Sequence, residues 1–144
     1  ADLSHDPGLI HAFLKKIQKC DLVLGSRYVA GGKIENWNFF RRLISRLGNF
    51  YARTVLNVPY QDLTSGFKCY RRKVLENLDL AALSSIGYNF QIETTYLSHL
   101  KGYEIREIPI VFTERKLGKS KFDLRIIIEG FLKVLELKFR KLNG

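Results

Sequence analysis

Methionine is absent from this 144-residue chain, which opens on Ala1. With no initiator and no signal-peptide pattern, the sequence reads as a processed chain or a piece of a longer one. Cysteine is scarce as well. Cys20 and Cys69 stand far apart with no CxxC and no Cys/His grouping, which argues against a disulfide framework and a zinc site and fits reduced thiols. No apolar run reaches the roughly 18 residues of a membrane span, so any membrane contact is expected to be peripheral. Repeats and low-complexity segments are missing. So are the GxxxxGK[ST] loop and any glycine-rich strand-to-helix turn near the start, which excludes a P-loop and a complete dinucleotide-type half. Acidic residues are short: 14 against 24 basic ones, a net charge of +10. Such a surplus points to an anionic partner, whether nucleic acid, an anionic membrane surface or a phosphorylated small molecule.

What is present is a folded composition, 46% hydrophobic and 26% charged, with helical and extended patterns in alternation. Asp6-Pro7 reads as a helix start, with Ile10, Phe13, Leu14 and Ile17 as its buried stripe. Asp21–Tyr28 reads as a short apolar strand internal to a sheet, and Gly31-Gly32 as a loop. Asn38–Leu56 is helical, with an expected core face of Phe40, Leu43, Ile44, Leu47, Tyr51 and Val55. A brief strand at Phe67–Tyr70 and helices over Lys73–Asn77 and Phe90–Lys101 follow. Tyr103–Thr113 alternates as a strand, with Pro109 marking an edge or a bulge. Phe122–Leu142 is a long amphipathic helix whose apolar face runs through Leu124, Ile128, Phe131, Leu135, Phe139 and Leu142, widened by Ile127 and Leu132. Lys133, Lys138, Arg140 and Lys141 crowd its second half, so it either covers the core or lies on an anionic membrane surface. The alternation of elements predicts an α/β layer architecture.

Several groups in this frame can carry chemistry. Asp2, in a loop start, is a carboxylate of the kind that holds a hard divalent cation. Arg27 ends a strand, where ligand crevices of α/β sheets open. Arg41 and Ser45 are four residues apart on a helix and therefore share a face on which a guanidinium and a hydroxyl can grip one phosphate. Asp62–Phe67 joins a carboxylate, two hydroxyls and a glycine in a turn. Gln91 and Glu93 begin a helix, where acidic groups suit the dipole. Glu114–Lys121 packs four cations and a glycine into one basic loop, suited to a diphosphate leaving group.

The order and spacing of these blocks carry more than any one of them. ADLSHDP, DLVLGSRYVAGG, Trp37 with RRLISRLGN, DLTSGFKCYRR, GYNFQIE and EIPIVFTERKLGKSK resemble the dolichyl-phosphate mannose synthases and their bacterial and archaeal relatives, inverting family 2 polyprenyl-phosphate glycosyltransferases. The resemblance covers residues 1 to about 125. It implies a glycosyltransferase A-type (Rossmann-like) α/β fold and transfer of mannose from GDP-mannose to a dolichyl or polyprenyl phosphate. Residues 1–121 then form part of the catalytic domain, lacking its N-terminal nucleotide-binding half, and residues 122–144 the basic amphipathic helix.

The same resemblance implies roles. Asp2 matches the second Asp of a DAD motif that binds Mg²⁺ or Mn²⁺; the first would precede Ala1, and Ser4 stands where some relatives carry a metal-binding Gln. Arg27, Arg41, Asp62 and Arg115 are the expected catalytic set. Arg41, Ser45 and Arg115 are expected on the acceptor phosphate, and Asp2, Arg27, Gln91, Glu93, Arg115 and Lys121 on the donor. A phosphate monoester is already anionic, so its attack needs little general-base help; cations must join two anions and steady the departing diphosphate. The expected partners are a nucleotide sugar, a polyprenyl phosphate and a membrane at its cytoplasmic face, with room left for a small membrane subunit. Alone, the 144-residue chain is expected to be inactive. Glucose transfer from UDP-glucose and a non-catalytic membrane-binding remnant are the alternatives. Nucleic acid is not an expected partner, since no helix-turn-helix or RNA-binding signature is present.

Overall fold

The computed structural model describes residues 6–79, 83, 87–113 and 124–142. The elements run α1 (Leu9–Ile17), β1 (Leu22–Ser26), β2 (Lys33–Glu35), α2 (Phe39–Leu56), β3 (Lys68–Tyr70), α3 (Arg72–Asn77), α4 (Tyr88–Leu100), β4 (Ile105–Pro109), β5 (Val111–Thr113) and α5 (Leu124–Leu142). The mixed α/β architecture agrees with the sequence reading.

β1 lies at the centre of a three-stranded sheet, antiparallel to β3 and parallel to β4. All five of its residues are buried, the pattern of a strand covered on both faces. Leu22 and Leu24 point into a core shared with α2, α4 and α5, while Val23 points the other way, toward Phe13 and Cys20 on the α1 side. This is the two-residue alternation of a strand expressed as two cores. Gly25 is required here, because a Cβ would come within 2.9 Å of the Ile110 side chain and 3.0 Å of the Phe67 carbonyl.

The predicted strand over Tyr103–Thr113 is two strands. Pro109 closes β4 opposite Ser26, Ile110 follows, and β5 pairs in parallel with β2 in a second, two-stranded sheet. Among the described strands β4 pairs only with β1, so Pro109 sits at an edge, as its missing N–H requires.

The helices correct the expected faces. In α1 the Leu9, Phe13 and Ile17 side packs inward, whereas Ile10 and Leu14 are exposed. Asp6 does not cap this helix directly; its carboxylate accepts the N–H of Gly8, which is the N-cap. Arg71 donates to the carbonyls of Ile17, Gln18 and Cys20 and so closes the C-terminal end of α1 with a cation, the favoured charge there.

Helix α2 is capped by Asn38, whose side chain accepts the N–H of Arg41, and ends on Asn57 in the left-handed conformation. Its buried residues are Asn49, Ala52 and Leu56, with Tyr51 and Val55 packed alongside. Phe40, Leu43 and Leu47 of the expected core face are exposed, together with Phe39 and Phe50. Among the described side chains of α5 the buried ones are Val134 and Leu137, while Ile128, Phe131, Leu132, Leu135 and Phe139 are exposed. Both helices are apolar on two sides; in α2 the side that carries the polar Asn49 faces the core, and in α5 the side of Val134 and Leu137 does. α5 packs against α2 and α4, with the Tyr51 and Phe131 rings 4.2 Å apart. The amphipathic helix therefore shares the core of the preceding residues. No helix among the described residues is long and apolar enough to cross a membrane.

Candidate functional site

Arg27 follows β1 directly, and its guanidinium is held by the turn after α2. Nε donates to Asp62 Oδ2 at 2.7 Å, and Nη2 donates to Asp62 Oδ1 at 2.7 Å and to Thr64 Oγ1 at 2.8 Å. The Arg27 backbone N–H adds a bond to Asp62 Oδ2 at 3.0 Å. Burial opposes the charge of Arg27, but the hydrogen bonds and charge of Asp62 outweigh it, and the guanidinium pKa lies above its ordinary value. Asp62 is wholly buried. Its contacts go to Arg27 and Thr64, so its action on a ligand runs through Arg27.

That turn is itself pinned from two directions. Glu107 of β4 accepts the N–H groups of Gln61 and Asp62. Asn49 of α2 donates to Thr64 Oγ1 at 3.1 Å and accepts the N–H of Leu63 at 2.8 Å. Neither residue was singled out in the sequence, where a mid-helix amide and a strand carboxylate look like ordinary surface residues; their burial or contacts appear only in the fold.

Aromatic rings surround the arginine. The Arg27 guanidinium lies 5.4 Å from the Tyr28 ring, 5.5 Å from Trp37 and 5.8 Å from Phe112. Arg41 stacks over the same Trp37 at 4.3 Å. Ser45 is reached by the Tyr28 hydroxyl, which donates to its Oγ at 2.6 Å. The fold thus gathers Arg27, Arg41, Ser45 and Asp62, spread over 35 residues, about one aromatic cluster.

Two clefts open here. One, of about 320 Å³, is lined by Arg27, Tyr28, Gly32, Lys33, Ile34, Glu35, Arg42 and Arg46. The other, of about 250 Å³, is lined by Tyr28, Arg46, Asn49, Phe50, Arg53 and Gln61. Tyr28 and Arg46 border both, so the clefts adjoin as a groove along α2, and among the described residues Glu35 is the only acidic one in either lining. Arg42, Arg46 and Arg53 enter the lining, where the sequence had pointed to Arg41. Gly32, in the lining of the first cleft, packs directly on the backbone beneath it, since a Cβ there would lie 2.7 Å from Ser26 O and 2.7 Å from the Arg27 carbonyl carbon.

Gln91 lies in the first turn of α4 beside Gly66, 3.6 Å from where a Cβ on that glycine would be. Lys68 reaches into this turn, donating to Gln91 O at 2.6 Å and Thr95 Oγ1 at 2.9 Å. Burial pulls the Lys68 pKa down to about 7, with Asp62 partly opposing the shift. Glu93 is buried within α4 and lines neither cleft. Asp2, Ser4, Arg115 and Lys121 lie outside the described residues. Among those described, no three His, Cys, Asp or Glu side chains gather as a metal cluster.

The family model described as glycosyl transferase family 2 matches residues 1–79, over half of the chain. The chain belongs to glycosyl transferase family 2. Among curated proteins it is similar to the polyprenol monophosphomannose synthase of Mycolicibacterium smegmatis, 43% identical over 97% of this chain and 53% of that protein. It is also similar to the undecaprenyl-phosphate mannosyltransferase of Micrococcus luteus, 41% identical over 93% of this chain and 55% of that one. The chain spans about half the length of these curated relatives. In this family 2 glycosyltransferase chain, β1 delivers Arg27 to the groove, and α2 supplies one wall.

Proposed function

We propose that the protein carrying this chain transfers mannose from a nucleotide sugar, GDP-mannose, to a polyprenyl phosphate. The observation that carries this reading is the groove along α2, lined by Arg27, Lys33, Arg42, Arg46 and Arg53 and bordered by the exposed apolar residues Leu43, Leu47 and Phe50 of the same helix. A ligand with an anionic head and a hydrocarbon tail matches both halves of that surface. The names of the two relatives supply the same acceptor class.

In this reading Arg41 and Ser45 hold the acceptor phosphate, which attacks without a general base because it is already anionic. Arg27, kept rigid by Asp62, offers its Nη1 group, which has no partner among the described residues, to charge developing on the phosphates. Preorganised donors of this kind act without reorganising during the reaction. Gln91 and Glu93 belong to the donor side, with Arg115 and Lys121 closing on the diphosphate. A divalent cation at Asp2 would neutralise the donor diphosphate when bound.

The exposed apolar faces of α2 and α5 support contact with the membrane that holds the acceptor, as a peripheral protein at its cytoplasmic face, with or without a small membrane subunit. Flanking cations each add roughly 1 kcal/mol on an anionic leaflet.

The test is transfer from labelled GDP-mannose to a polyprenyl phosphate with Mn²⁺, run on the 144-residue chain and on an N-terminally extended form. Transfer by the extended form alone is expected. Transfer from UDP-glucose but not GDP-mannose would replace the donor, and no transfer from either would leave a membrane-binding remnant.

A further inference from the structure

Ser45 Oγ has one hydrogen-bond partner among the described residues, the Tyr28 hydroxyl, which donates to it at 2.6 Å. A serine hydroxyl has one hydrogen to give and two lone pairs to accept with. With Tyr28 giving and Ser45 accepting, no described residue takes the hydrogen of Ser45, which sits beside Tyr28 and Arg46 of the two cleft linings without itself belonging to either. Burial pushes the Tyr28 phenol above its ordinary pKa, so it stays protonated and remains a donor across the neutral range. Its ring lies near the guanidinia of Arg27, at 5.4 Å, and Arg46, at 5.8 Å, and it borders both clefts. From below, Asn49 donates to the carbonyl of Ser45 at 3.0 Å, which fixes that turn of α2.

We propose that Tyr28 is a positioning residue that turns the Ser45 hydroxyl outward, making it a one-directional donor to a phosphate monoester bound between Arg27, Arg41 and Arg46. The proposal rests on the acceptor-phosphate reading above and deepens it. In water a free serine hydroxyl rotates and serves equally as donor or acceptor, which gives an anion little. With its acceptor side satisfied by a phenol, it presents only a hydrogen, and hydrogen bonds in series polarise one another. The selectivity that follows is for the phosphate head and not for the tail. Removing the phenol hydroxyl therefore weakens a prenyl phosphate and leaves the corresponding prenyl alcohol untouched.

The experiment titrates the chain with farnesyl monophosphate and, separately, farnesol, following the fluorescence of Trp37, its single tryptophan. Wild type, Tyr28→Phe, Ser45→Ala, Ser45→Thr and the Tyr28→Phe/Ser45→Ala double variant are compared, each checked for an unchanged circular dichroism spectrum. Expected is a loss of roughly tenfold in phosphate affinity for Tyr28→Phe and for Ser45→Ala, the scale of one hydrogen bond to a charged group. The double variant should lose no more than either single one, the mark of coupled residues. Ser45→Thr, which keeps the hydroxyl, should retain affinity, and farnesol binding should be the same in all. Unchanged or tighter phosphate binding by Tyr28→Phe overturns the proposal, since it means that Ser45 gives its hydrogen to Tyr28. Additive losses, or an equal loss for farnesol, overturn it in favour of independent or purely structural roles. Binding of neither ligand by the wild type overturns the acceptor reading and this proposal with it.

Discussion

Glu107 accepts the backbone N–H of Gln61 through both carboxylate oxygens, at 3.0 and 2.9 Å, across 46 residues of sequence. One of those oxygens also takes the N–H of Asp62 at 3.0 Å. A strand carboxylate thus organises the turn whose next side chain holds Arg27. Replacing Glu107 by Ala should cost about 1.5–3 kcal/mol, the value of hydrogen bonds to a charged acceptor. Urea unfolding of the two proteins measures it, and a midpoint equal to wild type would show that water serves the turn as well.

The Arg27–Asp62 pair is bidentate and closed from water. Removing one partner strands a buried charge, so Asp62→Asn should destabilise by about 3–5 kcal/mol, whereas a double apolar replacement of the pair should cost less than the two single changes summed. Chemical denaturation of the three variants decides it. Simple additivity would mean that the two groups do not act as a pair.

Lys68 makes stability depend on pH. Its folded pKa, about 7, lies below its unfolded value, so the unfolded chain binds more protons between about pH 7 and about 10.5, and stability should rise with pH through that window. Below about pH 7 both states are protonated and the contribution is flat. Lys68→Met should remove this rise, leaving the slope from other groups. Thermal midpoints from pH 6 to 10 test the sign; an unchanged slope would contradict an enclosed ammonium.

Gly32 stands against the backbone of Ser26 and Arg27. Gly32→Ala should force those peptides apart at a cost of about 1–3 kcal/mol, the range of overpacking, and should displace Arg27. The Trp37 fluorescence of the variant, sensitive to both guanidinia beside it, is expected to change; an identical spectrum and midpoint would mean that the loop yields freely.

Leu43 and Leu47 are exposed on α2. Changing both to Gln should alter stability by no more than about 0.5 kcal/mol each, as for surface sites, yet reduce sedimentation with anionic phospholipid vesicles severalfold. Equal sedimentation of both proteins would remove this face from the membrane contact.

What could be read from the sequence, and what could not, follows from the range of each interaction. β1 was legible because a strand buried on both faces is continuously apolar and stands out over five residues. The break at Ile110 was half legible: Pro109 announces an edge, but nothing local says that the chain changes sheets there. The faces of α1 and α2 were read in part, Phe13, Ile17, Tyr51 and Val55 packing as expected, and that of α5 was misread, because periodicity finds an apolar stripe without saying what covers it. In α2 the buried side includes Asn49 and adjoins Ser45, both polar, so composition favoured the wrong face. Arg41 and Ser45 share one side of α2, as their four-residue spacing indicated. The bond of Ser45 to Tyr28 and the bond of Arg27 to Asp62 join segments that only the fold brings together.

Ile110 donates its N–H to Ser26 O and accepts the N–H of Lys33, each at 3.0 Å. One peptide segment therefore rivets the large sheet to the small one, just beneath Arg27. The β2–β5 ribbon, which carries Phe112 against the guanidinium, cannot swing outward as a flap without shearing those two bonds. The bank bearing Arg27 is thus tied to both sheets, the anvil of the site.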